Sequence, residues 1–396
     1  MFINNKLLGA VLMVTSTCVG ASMISLPMVS MLIGTSNTLL LLVVIWALAY
    51  NASVINTDIS LFYQGSFSIS KLCQKSFSYH RIWILLDALI IILFYTLLSA
   101  YMSAIISISE VLLENNNFLI DTKLFGYTAI VILLLLIVIN FRILDISNKF
   151  IFFITLIIFM IIIYIIFSKT ALSNLRKMQC CIVINDNFFK AIPVFFTSFG
   201  FHGSIPFIIK YLNYDKQYIK KAFFWGSFIS FIIYLSWTFL TLSTFTTSSM
   251  EYFNTIKNRN LHINNFIHVL VEATSQNSLN YLIIVFTWLT ILTSFLGVGV
   301  GLYDYFLEKL RLNSLLFVDT LKVSLVTFFP PFLIACLGKD IFLDALAAAA
   351  IILVLLAIIF PCLVALKIKT GKKVNVIISL ALGLLIVAVE IYNFLL

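Results

Sequence analysis

Thr15 to Pro27 reads TSTCVGASMISLP. It lies inside an apolar run from Leu7 to Ile33, which places it at mid-membrane depth. Yet Gly20, Ala21 and Ser22 follow one another, and Pro27 closes the segment. Five hydroxyl side chains fall between Thr15 and Ser25. A helix broken in hydrocarbon frees backbone groups at several kcal/mol each, so a break is tolerated where it is buried in protein or lines a cavity. The plainer reading is a stripe of small residues for close helix packing. A second stretch weighs against it. Ala191 to Lys210 reads AIPVFFTSFGFHGSIPFIIK, with Gly200 and Gly203 in mid-span and Pro206 just beyond. Interrupted spans in corresponding positions of two halves point to the binding site of a secondary transporter.

Composition sets the surroundings. Hydrophobic residues make up 62% of the 396 and charged residues 10%, against about half and a quarter in soluble domains. The apolar runs mostly exceed the ~20 residues that span a bilayer. They lack the alternation of an outer-membrane barrel. The chain therefore reads as an all-α integral membrane protein embedded in a lipid bilayer. Lys6 before the first run imitates a signal peptide, but the run is too long and no cleavage site follows, so it reads as a retained first span. The net charge of +9 sits in short loops and carries no sign of nucleic-acid binding. The six cysteines show neither zinc spacing nor a disulfide framework.

Eleven spans are expected, at about 6–33, 37–62, 82–109, 124–140, 147–168, 187–210, 222–245, 279–306, 314–336, 341–365 and 374–396. A turn at Gly34 to Asn37 separates the first two, and a basic loop, Phe141 to Lys149, precedes the fifth. A short amphipathic helix is expected around Ile263 to Thr274. With the N-terminus cytoplasmic, the inside loops hold seventeen of the 25 Lys and Arg and the outside loops the other eight. That bias predicts N-in and C-out. Spans one to five (about 6–168) and six to ten (about 187–365) then run in opposite senses, each half opening with a broken helix. This is an inverted five-plus-five repeat with one extra helix, about 374–396, in a single transporter domain.

Each break supplies a half-helix C-terminus with free carbonyls and an N-terminus with free N–H groups. A zwitterionic amino acid matches both. The N–H groups of the half-helix beginning near Ala21 and Ser22 suit its carboxylate, with Val19 and Gly20 beside them in the expected binding site. The carbonyls of Thr17, Cys18, Phe199 and Gly200 suit its ammonium. Gly20, Gly200 and Gly203 allow close backbone approach. Phe199 and Phe201 flank the second break as pocket-lining rings. His202 is the single histidine in an expected span, and it either binds a proton or stays neutral against backbone carbonyls. Tyr95, Thr96 and Ser99 lie mid-depth in span three, and Thr290, Thr293, Ser294 and Gly297 in span eight. Their hydroxyls bond substrate, an ion or their own helices. Lys149 places an ammonium where an ion would otherwise sit, or anchors span five. Asp58, Asp87, Asp304 and Glu390 read as interfacial, since a mid-bilayer charge costs at least ~2.5–3.5 kcal/mol. No phosphate loop, metal cluster or nucleophile–base pair is present, so neither an enzyme nor a cofactor is expected.

Three stretches together carry a resemblance. GAVLMVTSTCVGASMISLP (Gly9 to Pro27), FTSFGFHGSIPFIIKYL (Phe196 to Leu212) and LTSFLGVGVGLYDYF (Leu292 to Phe306) resemble the bacterial hydroxy/aromatic amino acid permease family. The resemblance implies a fold of the inverted-repeat leucine-transporter type. It also implies import of an aromatic amino acid with protons across the bacterial inner membrane. Tyrosine is the preferred substrate it suggests, with tryptophan and phenylalanine as alternatives. Ser22 departs from a glycine usual at that place in the family, which alters backbone approach to the carboxylate. A sodium-coupled or broader neutral amino acid carrier is the competing expectation, and a non-transporting membrane scaffold a more distant one.

Overall fold

A computed structural model describes residues 2–65, 75–76, 80–114, 128, 141–169, 184–244, 266, 277–312, 317–338 and 341–395. Among them there is no strand. Helix α1 spans Phe2–Cys18 and α2 spans Ser22–Phe62. Helices α3 (His80–Glu114) and α4 (Phe141–Lys169) follow. The second break lies between α5 (Asp186–Ser198) and α6 (Ile205–Tyr211), joined by a 3-10 turn at Phe201–Ser204. Then come α7 (Lys216–Thr244), α8 (Asn277–Leu310) and α9 (Phe317–Leu337). A π turn at Leu355–Ile359 joins α10 (Phe342–Val354) to α11 (Phe360–Ile368), and α12 is Lys373–Leu395. Among the described residues, nine helical stretches are long and apolar enough to cross a membrane, with α1 as a shorter apolar helix beside them.

The expected boundaries mostly hold, with informative differences. The turn between spans one and two shrinks to one residue, Gly34, at φ 80 and ψ 172. Only glycine adopts that backbone readily, and Asn37 Nδ2 and Thr38 Oγ1 take the carbonyls of Ile33 and Gly34 at 3.0 and 2.7 Å. The loop expected from Phe141 to Lys149 is helical instead, the first turns of α4. That stretch has no glycine or proline to stop a helix, so it continues past the apolar core. Expected span four, apart from Thr128, and nearly all of the expected 263–274 helix lie outside the described residues.

Prolines inside spans organise the helix contacts. A proline has no N–H for the carbonyl four residues back, and in a membrane that carbonyl needs another donor. Three such carbonyls receive one from a neighbouring helix. The Trp237 indole donates to Met23 O, four residues before Pro27. The Tyr95 hydroxyl donates to Val326 O at 2.7 Å, four residues before Pro330. The Asn56 amide donates to Ala357 O at 3.0 Å, four residues before Pro361. The π turn just ahead of Pro361 absorbs the clash of its ring with the preceding turn.

The helices fall into two packing groups. Helix α7 packs on α1 and α2, and α2 packs on α5. Trp46 seals the α2–α7 contact against Phe224, Phe228 and Phe231, its indole N–H reaching Ser227 Oγ at 3.2 Å. The second group has α8 on α3 and α4, with α9 on α3. Helix α10 touches both groups, through α3 and α5. Each group carries an ion pair: Asp58 with Lys216 at 2.9 Å in the first, Asp87 with Lys309 at 3.2 Å in the second. Asp304 is exposed, as expected of an interfacial group. Glu390 is covered by protein. It is 3% exposed, and its carboxylate accepts from Asn393 Nδ2 at 3.3 Å.

Candidate functional site

The first break is short. The α1 ladder ends with Val19 N–H on Thr15 O at 2.9 Å, and the α2 ladder opens with Met23 N–H on Gly20 O at 2.9 Å. In a continuous helix Ala21 N–H would return to the Thr17 carbonyl. It donates instead to Ser294 Oγ of α8 at 2.8 Å. The N–H groups of Gly20 and Ser22 stand between the two ladders without a backbone acceptor among the described residues. Gly20 is needed here: a Cβ on it would lie 2.1 Å from Ser294 Oγ.

The second break is tighter than a full unwinding. Phe199 and Gly200 N–H groups bond Phe196 and Thr197 carbonyls at 3.1 and 3.0 Å, and the chain then winds through the 3-10 turn. The α5 C-terminus points its last carbonyls at α7. There, Tyr234 ties the two breaks together. Its hydroxyl lies within hydrogen-bond reach of Cys18 O in the first break and 2.7 Å from Ser198 O in the second. These are the carbonyls that Ser22 and His202 N–H groups would have taken in unbroken helices. Phe199 meets the Tyr234 ring edge-on, with centroids 5.3 Å apart. Tyr234, Phe199 and Phe201 are all fully buried.

His202 is buried between rings. It stacks on Phe201 at 4.8 Å and on Phe196 at 6.3 Å. Its Nε2 lies 3.2 Å from Ala49 O. A carbonyl only accepts, so in the neutral ring the proton sits on Nε2 and Nδ1 is a bare acceptor. That Nδ1 is buried with no partner among the described residues.

The expected site residues divide. Cys18, Val19, Gly20, Ala21, Phe199, Phe201 and His202 are buried around the two breaks, and Ser22 and Gly200 are half-buried there. Ser294 joins them from α8. Thr17 faces outward, its hydroxyl on Met13 O and Val14 O of its own helix, so only its carbonyl belongs to the break. Gly203 is exposed, and among the described residues no protein group stands where a Cβ would be. Tyr95 is engaged away from the breaks. Besides holding Val326 O, it packs near Phe306, twelve residues along α8 from Ser294, or about 18 Å. Its donor serves the proline-freed carbonyl. Ser99 returns its hydroxyl to Tyr95 O at 2.8 Å. Lys149 is in α4, and its side chain lies outside the described residues.

The Tryptophan/tyrosine permease family matches residues 3–394. The chain belongs to this family. As a permease it is a membrane transport protein and not an enzyme, and the resemblance read from its three stretches is borne out. It is 28% identical to Tyrosine-specific transport system 1 of Haemophilus influenzae over 97% of this chain and 96% of that one. It is 34% identical to the Tryptophan-specific transport protein of Pseudomonas aeruginosa, across 44% and 41% of the two chains. Glutamine transporter 2 of Aliivibrio fischeri is 26% identical over 94% and 92%.

The sequence reading of this permease missed Tyr234 and Trp237. Both had a signal. They stand at mid-depth of span seven, three residues apart and so on one helix face. Each brings a donor into hydrocarbon, where it must find an acceptor.

Proposed function

We propose that this permease imports an aromatic amino acid, tyrosine preferred, by proton symport. The substrate binds at the breaks of the first and sixth expected spans, α1–α2 and α5–α6. Its carboxylate takes the N–H groups of Gly20 and Ser22, and its ammonium the carbonyls of Cys18 and Ser198. The observation that carries this reading is Tyr234, whose one hydroxyl meets both breaks. The relatives named for tyrosine and tryptophan transport support the substrate class. His202 is the proton site, since its bare Nδ1 faces no competing partner among the described residues. One proton moving down ~100 mV supplies ~2.3 kcal/mol, roughly fifty-fold accumulation. The fold is five plus five inverted spans and one extra, in the bacterial inner membrane with the N-terminus cytoplasmic.

The test is radiolabelled tyrosine uptake into proteoliposomes under an imposed pH gradient without sodium. Concentrative uptake abolished by a protonophore is expected. Uptake only after sodium is added would overturn the coupling ion. The relative named for glutamine favours a broader neutral carrier as the second reading. Glutamine competing as well as tryptophan and phenylalanine would establish it.

A further inference from the structure

Tyr234 has one proton and two carbonyl oxygens to serve. One oxygen, Ser198 O, is 2.7 Å from its hydroxyl, and the other, Cys18 O, is also in reach. A phenol donates one hydrogen bond, and the Ser22 hydroxyl reaches Cys18 O only at 3.5 Å, the far limit of a hydrogen bond, so the junction of the two breaks is short of one well-placed donor. Apart from Ser22, the described groups around it are committed or apolar. Phe199 covers the ring edge-on, and the Cys18 thiol faces Ser230 and the Phe201 backbone. The contrast with Trp237 is instructive: one turn further along α7, it has one donor and one carbonyl, fully matched. A group that repairs a shortage of donors must bring N–H without bringing a new acceptor. A primary ammonium does so, with three donors and no lone pair.

We infer that Tyr234 is the residue that selects for a primary amino group. In the empty carrier its hydroxyl stands in for the ammonium between the two carbonyls. In the loaded carrier the ammonium donates to Cys18 O and Ser198 O, and the Tyr234 oxygen turns to accept the third N–H. Specificity for the amino group then follows from three acceptors converging on one nitrogen. This inference rests on the proposed binding of an amino acid at the breaks.

The test compares ligands in wild-type and Tyr234→Phe carriers. Inhibition of tyrosine uptake is measured for tyrosine itself and for 3-(4-hydroxyphenyl)propionate, which lacks the amino group. Losing a hydrogen bond to a charged group costs about tenfold or more. Tyr234→Phe is therefore expected to weaken tyrosine about tenfold and leave the desamino acid unchanged, so that discrimination between them shrinks by the same factor. Equal weakening of both ligands, or of neither, overturns the inference. Trp237→Phe is the control for a structural role: it removes a buried donor from the same helix face and should leave the discrimination ratio intact. If Tyr234→Phe does not fold, N-methyl-tyrosine decides the matter in the wild type. With only two N–H groups it should compete about tenfold worse than tyrosine, and equal competition overturns the inference. Failure of wild-type protein to take up any amino acid would instead strike the proposed function.

Discussion

An alanine at position 20 would set its Cβ 2.1 Å from Ser294 Oγ. The hydroxyl can swing away, but only by leaving Ala21 N–H, which it now accepts from at 2.8 Å. Gly20→Ala and Ser294→Ala therefore lose the same hydrogen bond. Each should lower stability by about 1 kcal/mol. Because the loss is shared, the double variant should cost little more than either single. Thermal unfolding of the four proteins in detergent gives the cycle, and simple additivity would show that the two residues are not coupled through Ala21. Gly203 offers the opposite case. Among the described residues nothing lies within 4 Å of an added Cβ, so Gly203→Ala should unfold at the wild-type temperature. If the folded variant also loses tyrosine uptake, the missing neighbour is the substrate. His202 separates packing from chemistry. Glutamine at that place keeps a donor for Ala49 O but cannot bind a proton at neutral pH. His202→Gln should let the steady-state tyrosine ratio fall toward one, and an undiminished ratio would remove the histidine as proton carrier.

Three prolines set how the helices hold one another. Pro27, Pro330 and Pro361 each release a carbonyl, and Trp237, Tyr95 and Asn56 each deliver a donor to it across a helix interface. Removing a donor leaves a buried oxygen unsatisfied, at about 1–3 kcal/mol. Asn56→Leu should show that loss in thermal unfolding. Adding Pro361→Ala should return part of it, because the Cys362–Phe360 segment can then offer a backbone N–H again at position 361. No recovery would mean that Asn56 acts on α11 in some other way. This rule also marks the limit of what the chain discloses in one dimension. Most spans among the described residues and both breaks were legible, because hydropathy and runs of Gly, Ala and Ser are local properties. So were the prolines and, four residues before each, the carbonyl that needs a partner. Which donor answers was not, since Trp237 lies 214 residues from Met23 and Tyr95 lies 231 from Val326. Tyr95 therefore read as a candidate substrate ligand, and the structure shows its hydroxyl donating to the carbonyl that Pro330 frees. Lys149 read as the end of a loop because the apolar pattern stops there, though a helix lacking breakers runs on into the interface.

The two packing groups meet where the breaks lie. Helices α1, α2, α5 and α7 carry the breaks and the Tyr234 tie, whereas α3, α4, α8 and α9 carry Ser294. Only a few contacts join the groups near the site. One is the Ala21–Ser294 hydrogen bond. Another is the aromatic set of Trp237 on α7 with Phe286 on α8 and Phe159 on α4, at centroid distances of 5.1 to 6.0 Å. The Asp58–Lys216 and Asp87–Lys309 pairs each stay within one group, so these charges hold each group together internally. In the proposed five-plus-five arrangement, Asp58 and Asp87 lie on the same membrane face, at the end of span two and the start of span three. Lys216 and Lys309 must then lie on that face too, which the two pairs satisfy. The same arrangement, with its one extra span, demands an odd number of crossings. The termini must therefore lie on opposite sides of the membrane. A tag before Phe2 should resist protease added to intact spheroplasts, and a tag after Leu396 should be cut. The lysine and arginine bias makes the protected side the cytoplasm. Two tags cut together, or protected together, would make the span count even. The second half would then have lost its inverted relation to the first or the extra helix its crossing, and the ion-pair argument alone would remain to orient α2, α3, α7 and α8.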